Sequence, residues 1–275
     1  MLNLIFFSLF LQLAAGMLLP LLFISLAEIG ATFFRLLSGL AAALLALACW
    51  AHPFGSPVLA SPSGVFGISP NLIFGLIAAT IVLLLAGSIG IKRVKKIYLF
   101  PAFALALAAV VFVSLFSPVS QSFPASLAGW RAVSFTGSAM MLGTVMSAMI
   151  TGHWYLVNRR LTIQPLRMAA ILFLGATILR LAMVIAVVAV LAFSSEALVS
   201  QPAQALLQFS GTGWWFWLRV IIGLIGPLIF GWMIYETVKI RSTQSATGML
   251  YATVVLVFIG EAFSKFIWLF TGIPV

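Results

Sequence analysis

Few residues in this chain can do chemistry, and most of them sit in apolar surroundings. Its carboxylates are Glu28, Glu196, Glu236 and Glu261, its imidazoles His52 and His153, and its one thiol Cys49. Arg180, Glu261 and Lys265 fall inside long apolar runs. A lone guanidinium at such depth costs at least about 2.5–3.5 kcal/mol, so each buried charge has to be paired or functional. Glu261 and Lys265 stand four residues apart, on one face of a helix and able to pair. Arg219 lies in the outer part of the run before them. The chemistry open to Arg180, Arg219, Glu261 and Lys265 is a lined polar cavity or a proton route. Equally, Glu261 can neutralise Lys265 or Arg180 and simply pin helices together.

His52 closes the second apolar run inside His52-Pro53-Phe54-Gly55-Ser56-Pro57. An imidazole at the lip of an apolar core can hydrogen-bond a quinone carbonyl and exchange a proton near neutral pH. The alternative is a polar helix end that meets water. His153, in Gly152-His153-Trp154-Tyr155, lies near the opposite end of the fifth run. It belongs either to an inner polar cluster or to the membrane interface, and Glu236 groups by depth with Glu28 and Arg35 near the inner face. A haem b shared by the two histidines is disfavoured, because axial ligands need one depth and these lie near opposite faces of a roughly 30 Å core. No haem is therefore expected. Nor is there a phosphate loop, a nucleophile elbow or a metal-ligand cluster, and Cys49 alone supports neither a disulfide nor a thiolate site. No catalytic residue and no metal site is assigned.

These side chains have to be positioned by membrane-spanning helices. The chain is 64% hydrophobic and 7% charged, with a mean hydropathy of +1.25. So few charges cannot cover a water-soluble domain, whereas lipid asks for none. About 20 apolar helical residues cross a bilayer core. Eight segments qualify, at 3–27, 30–51, 70–91, 97–117, 131–157, 166–193, 214–238 and 246–271. Together they form one all-α, polytopic integral membrane domain over 1–275. Met1 to Ala27 lacks a basic n-region and is too long for a signal peptide, so it reads as the first span.

Orientation comes from the basic loops. Nine of the fourteen Lys and Arg residues fall in Lys92-Arg93-Val94-Lys95-Lys96, Asn158-Arg159-Arg160 with Arg167, and Lys239-Ile240-Arg241. Such clusters stay in the cytosol, which puts both termini on the outer, periplasmic side. The connections 52–69, 118–130 and 194–213 then face outward, with Arg131 and Glu196 as their charges. The net charge of +10 belongs to loops beside anionic headgroups rather than to a nucleic-acid surface. Glu28 and Arg35 flank a short inner turn and suit a helix-end salt bridge. Pro165 suits the first turn of the sixth helix, and Pro227 should kink the seventh. No internal repeat is evident, which weighs against a transporter of inverted repeats.

Several segments, in order, resemble the DMSO reductase membrane-anchor family, related to the NrfD and polysulfide reductase anchors. Phe7-Ser8-Leu9-Phe10-Leu11-Gln12-Leu13-Ala14-Ala15-Gly16 is similar to that family's first helix. Ala51-His52-Pro53-Phe54-Gly55-Ser56-Pro57 resembles its His-x-Gly-x-Pro-type turn after helix two. Trp217-Leu218-Arg219 resembles its Trp-Arg start of helix seven. Gly260-Glu261-Ala262-Phe263-Ser264-Lys265-Phe266 resembles its Gly-Glu-Leu-x-Gly-Arg signature, with Lys265 where Arg is usual. The family's acidic residue near the start of helix three has no counterpart in Pro70-Asn71-Leu72.

The resemblance implies a quinone-reactive membrane anchor subunit in a bacterial inner (cytoplasmic) membrane. It implies menaquinone or another quinone near the outer face, contacted by His52, Gly55 and Arg219. It also implies an iron–sulfur subunit and a catalytic, possibly molybdopterin, subunit docked on that face. Arg180, Glu261, Lys265, His153 and Glu236 are then the polar core or proton relay. The alternatives are a small-molecule transporter or channel, a purely structural subunit of a respiratory or photosynthetic complex, and a haem b anchor.

Overall fold

A computed structural model describes residues 2–51, 70–89, 96–117, 124–158 and 161–275. His52 and Gly55 lie outside the described residues, as do Lys92, Arg93, Lys95, Arg159 and Arg160 of the basic loops. Long helices dominate, and no strand occurs among the described residues. They are α1 (Leu2–Phe23), α2 (Ala31–Ala51), α3 (Pro70–Ile89), α4 (Leu99–Phe116), α5 (Ala128–Val157), α6 (Gln164–Ala192), α7 (Thr212–Lys239) and α8 (Thr243–Thr271). Seven of these are long and apolar enough to cross a membrane. The shorter apolar stretch of α3 is Leu72–Ser88. The protein is therefore an all-α, multi-pass membrane protein.

Helix ends follow local chemistry. Gly30 has φ 91° and breaks the chain between the single turn Leu26–Ile29 and α2, a backbone region open mainly to glycine. The end of α1 at Phe23, short of Ala27, comes earlier, where Ser25 is extended (φ −74°, ψ 126°) and starts the separate turn. Glu28 and Arg35 flank this turn without forming a salt bridge to each other. Pro165 sits in the first turn of α6, where its missing N–H is no loss. In α7 the turn Ile221–Ile225 widens to π-helical geometry just ahead of Pro227. A proline ring clashes with the carbonyl four residues back, here Gly223, and the wider turn accommodates it.

Within the connection 194–213 lies a helix that composition does not announce, Ala197–Leu207. Its buried residues Val199, Ala203 and Leu206 recur at helical spacing along one face. Gln204 Nε2 donates to the Ala192 carbonyl at the end of α6 (2.9 Å), and Trp217 Nε1 donates to the Leu207 carbonyl (3.3 Å). The short helix thus ties α6 to the start of α7. Arg131, expected among the outward loop charges, is buried within the first turns of α5.

Helix α1 is central and packs against α2, α4 and α5. Its contact with α5 is backbone-close: a Cβ on Gly16 would lie 1.7 Å from the Ala139 carbonyl oxygen, and one on Gly143 1.9 Å from the Gly16 carbonyl carbon. Small residues at crossings are how membrane helices gain contact when lipid is as apolar as their side chains. Around this centre α5 packs on α6 and α8, and α7 packs on α6 and α8. Outward faces carry exposed Ile178, Leu179, Ile185 and Val190, as lipid contact requires.

Candidate functional site

Four helices place polar side chains at one buried point. Ser134 and Ser138 share a face of α5 at i, i+4 spacing, and Glu261, Ser264 and Lys265 do the same on α8. Arg180 comes from the middle of α6 and Arg219 from the first turns of α7. Glu261 is about 15 Å of helix from the end of α8 at Thr271, well inside the apolar zone. The side chains of Arg180, Arg219 and Glu261 are fully buried, and that of Lys265 is 1% exposed.

Glu261 is the hub. Its Oε1 accepts from Arg180 Nε at 3.3 Å and from Arg219 Nη2 at 2.8 Å. Its Oε2 accepts a short hydrogen bond from the Ser138 hydroxyl and has Lys265 Nζ at 3.7 Å. Ser138 in turn accepts from Arg180 Nη2 and from Lys265 Nζ, both at 3.1 Å. One hydroxyl has one proton to give and two lone pairs to fill, so Ser138 is saturated. Arg180 also donates to Ser134 (2.7 Å), Ser264 (3.3 Å) and the Val275 backbone oxygen (3.0 Å). Gly272, in the left-handed region, caps α8 and turns the chain so that Val275 also accepts from the Ser264 hydroxyl.

The two arginines differ in one respect. Every guanidinium nitrogen of Arg180 finds an oxygen. Arg219 gives only Nη2 to Glu261, and its Nε and Nη1 have no hydrogen-bond partner among the described residues. A buried donor left unmet costs about 1–3 kcal/mol. Lys265 has a further neighbour, the Phe135 ring, 4.5 Å from Nζ to the centroid, a cation–π contact. Trp268 meets the same ring edge-on at 5.0 Å.

Backbone geometry brings these groups together. Gly223 in the π-helical turn of α7 meets Gly260 of α8, and a Cβ on Gly223 would lie 2.4 Å from the Gly260 Cα. Such closeness sets Arg219, one turn before Gly223, directly against Glu261, the neighbour of Gly260. Trp217 stacks on Phe209 at 5.1 Å with rings 9° apart, which holds the start of α7. On the other side, Gly137 of α5 leaves room for the Arg180 stem, its would-be Cβ lying 3.2 Å from Arg180 Cδ.

The remaining site residues lie elsewhere. His153 and Tyr251 are exposed, and the Tyr251 hydroxyl meets His153 Nδ1 at 2.9 Å. Glu236 pairs with Lys239 at 2.7 Å on the exposed end of α7, away from the buried cluster. Tyr251 also borders a cavity of about 820 Å³ at that end, with Tyr155, Arg241 and Thr247 in its wall. Among the described residues no group of three or more His, Cys, Asp or Glu could hold a metal ion. Ser134, Ser138, Ser264 and the Val275 oxygen are members that sequence reading misses. The i, i+4 serines of α5 put two hydroxyls on one apolar face, but a helical hydroxyl can also donate to its own carbonyl four residues back, as Thr151 does, so the spacing alone does not announce a cluster.

No family model matches the chain, and no curated protein matches it either.

Proposed function

We propose that the chain is the quinone-reactive membrane anchor subunit of a multi-subunit oxidoreductase. In this reading it crosses a bacterial cytoplasmic membrane eight times with both termini in the periplasm. An iron–sulfur subunit docks on the outer face, and a catalytic, molybdopterin-type subunit lies behind it. Electrons pass between menaquinone, or another quinone, and the iron–sulfur partner, which carries the redox cofactors.

One observation supports this reading above the rest. Two of the segments that resemble the anchor family, Trp217-Leu218-Arg219 and Gly260-Glu261 through Lys265, are far apart in sequence. They meet at the 2.8 Å contact of Arg219 with Glu261. A buried group of ionisable residues on several helices is also what proton and ligand routes through membranes require. Its excess of cations favours negative charge developing nearby, as on a quinone ring being reduced. His52 hydrogen-bonds the quinone carbonyl, Gly55 shapes the turn beside it, and the Glu261 cluster sets the local potential.

The test replaces His52 with Ala in the assembled complex. The reading expects quinone-linked turnover to fall and quinone affinity to weaken while the complex stays assembled. Unchanged turnover and affinity would remove the assigned role. A second reading, a small-molecule transporter, draws on the cavity of about 820 Å³ at the other end of the bundle. A chain that purifies alone and moves a solute in vesicles would favour it.

A further inference from the structure

The cavity of about 820 Å³ beside the start of α8 is separate from the Glu261 cluster, which lies roughly 20 Å further along the helix. Its wall is divided. Leu156, Leu161 and Ile163, from the end of α5 and the approach to α6, form an apolar side. Arg241, Thr243 and Gln244, from the turn after α7 and the first turn of α8, form a polar one. No carboxylate lines it.

The donors left open in this wall are specific. Both tyrosines that border the cavity have engaged hydroxyls: Tyr155 donates to the Thr162 carbonyl, and Tyr251 meets His153 Nδ1 at 2.9 Å. The side chains of Arg241, Thr243 and Gln244 have no hydrogen-bond or ion-pair partner among the described residues. Lys239, two residues before Arg241, is by contrast neutralised by Glu236. The Arg241 backbone is also unusual, with φ 59°. Its N–H donates to the Val238 carbonyl, and the Ser242 N–H donates to the Thr237 carbonyl. Glycine usually completes that helix-ending pattern, so a guanidinium is kept where an L side chain costs stability.

Open donors with no acid among them call for an acceptor-rich, anionic group. The volume is far more than an ion needs and matches a small organic molecule, whose body the apolar side can take. Ends of spanning helices lie at headgroup level, where basic pockets between helices hold lipid phosphates. We propose that this cavity binds a phosphate ester, with its phosphate against Arg241, Thr243 and Gln244 and its organic body along Leu156, Leu161 and Ile163. A phospholipid headgroup and a soluble phosphate ester share this chemistry. The site requires neither the redox nor the transport reading, since any subunit with this cavity would hold the same group.

Three probes test it. The full-length chain, purified in detergent and stripped of lipid, is titrated with phosphatidylglycerol, glycerol 3-phosphate or diacylglycerol while its thermal midpoint is followed. The expected result is a saturable rise with a phosphate ester and none with diacylglycerol. A rise with phosphatidylglycerol only assigns the lipid as the source, and a rise with glycerol 3-phosphate as well assigns a soluble ester. Arg241→Gly removes the guanidinium while relieving the backbone, so it should keep the ligand-free midpoint yet weaken binding roughly tenfold or more. Gly248 lines the cavity, and a Cβ there meets nothing within 4 Å, so Gly248→Leu should fill the space and block binding. Lys239→Gln, an equal loss of charge outside the cavity wall, should leave binding unchanged. No saturable response to either ester, a response to diacylglycerol equal to that of phosphatidylglycerol, or binding that Arg241→Gly leaves unaltered would overturn the proposal. None of these measurements uses quinone or solute flux, so failure of either functional reading leaves them intact.

Discussion

A Cβ on Gly260 would lie 2.2 Å from the Cα of Gly223, so α7 and α8 touch backbone to backbone directly beside the buried salt bridge. Neither neighbour can yield, because both contacting atoms are main chain. Gly260→Ala or Gly223→Ala should therefore push the helices apart and cost about 1–3 kcal/mol, the usual range for overpacking. The thermal midpoint of the purified protein in detergent reads this. Gly175→Ala is the control, since a Cβ there meets nothing within 4 Å, and it should leave the midpoint unchanged.

Glu261→Gln should be the most destabilising single change in the cluster. It leaves Arg180, Arg219 and Lys265 buried without their shared carboxylate. Removing one partner of a buried pair costs about 3–5 kcal/mol. A double-mutant cycle on Glu261→Gln and Lys265→Met should show coupling of about 0.5–3 kcal/mol, with the double variant more stable than Glu261→Gln alone. Additive effects would mean the two side chains do not interact.

The two α5 serines should differ. Ser138 donates to Glu261 and accepts from Arg180 and Lys265, whereas Ser134 only accepts from Arg180 Nη1. Ser138→Ala should cost more than Ser134→Ala, toward the upper part of the roughly 1–3 kcal/mol range for leaving buried groups unmet. Equal losses in chemical or thermal unfolding would contradict the arrangement.

Part of this site can be read directly from the chain. The i, i+4 spacing of Glu261 and Lys265 puts them on one face, and the cost of a mid-membrane Arg180 turns it inward. Helix limits follow from apolar length, so Gln164–Ala192 and Thr243–Thr271 lie within a few residues of the apolar runs. What composition hides is three-dimensional. The Gly223–Gly260 crossing joins residues on two helices, and periodicity says nothing about which glycines meet. The helix Ala197–Leu207 sits in a stretch rich in Ser and Gln, where a short amphipathic face is easily mistaken for a loop. Position in the chain groups Glu236 with the polar core, whereas Lys239 three residues on pairs with it at the surface.

Orientation has its own test. With Cys49 changed to Ser, a single cysteine at Gln208 should react with a membrane-impermeant maleimide in intact cells. A cysteine at Arg241 should react only after permeabilisation. The reverse pattern would place the basic loops outside and move His52 to the wrong leaflet.

Gentle-detergent purification of the tagged chain from its native membrane is the most direct test of the proposed role. The expected result is a copurifying iron–sulfur protein whose clusters are reduced by added quinol, seen as bleaching of their visible absorption. A chain that emerges alone, or with partners whose clusters stay oxidised in the presence of quinol, would contradict the assignment as a quinone-reactive anchor.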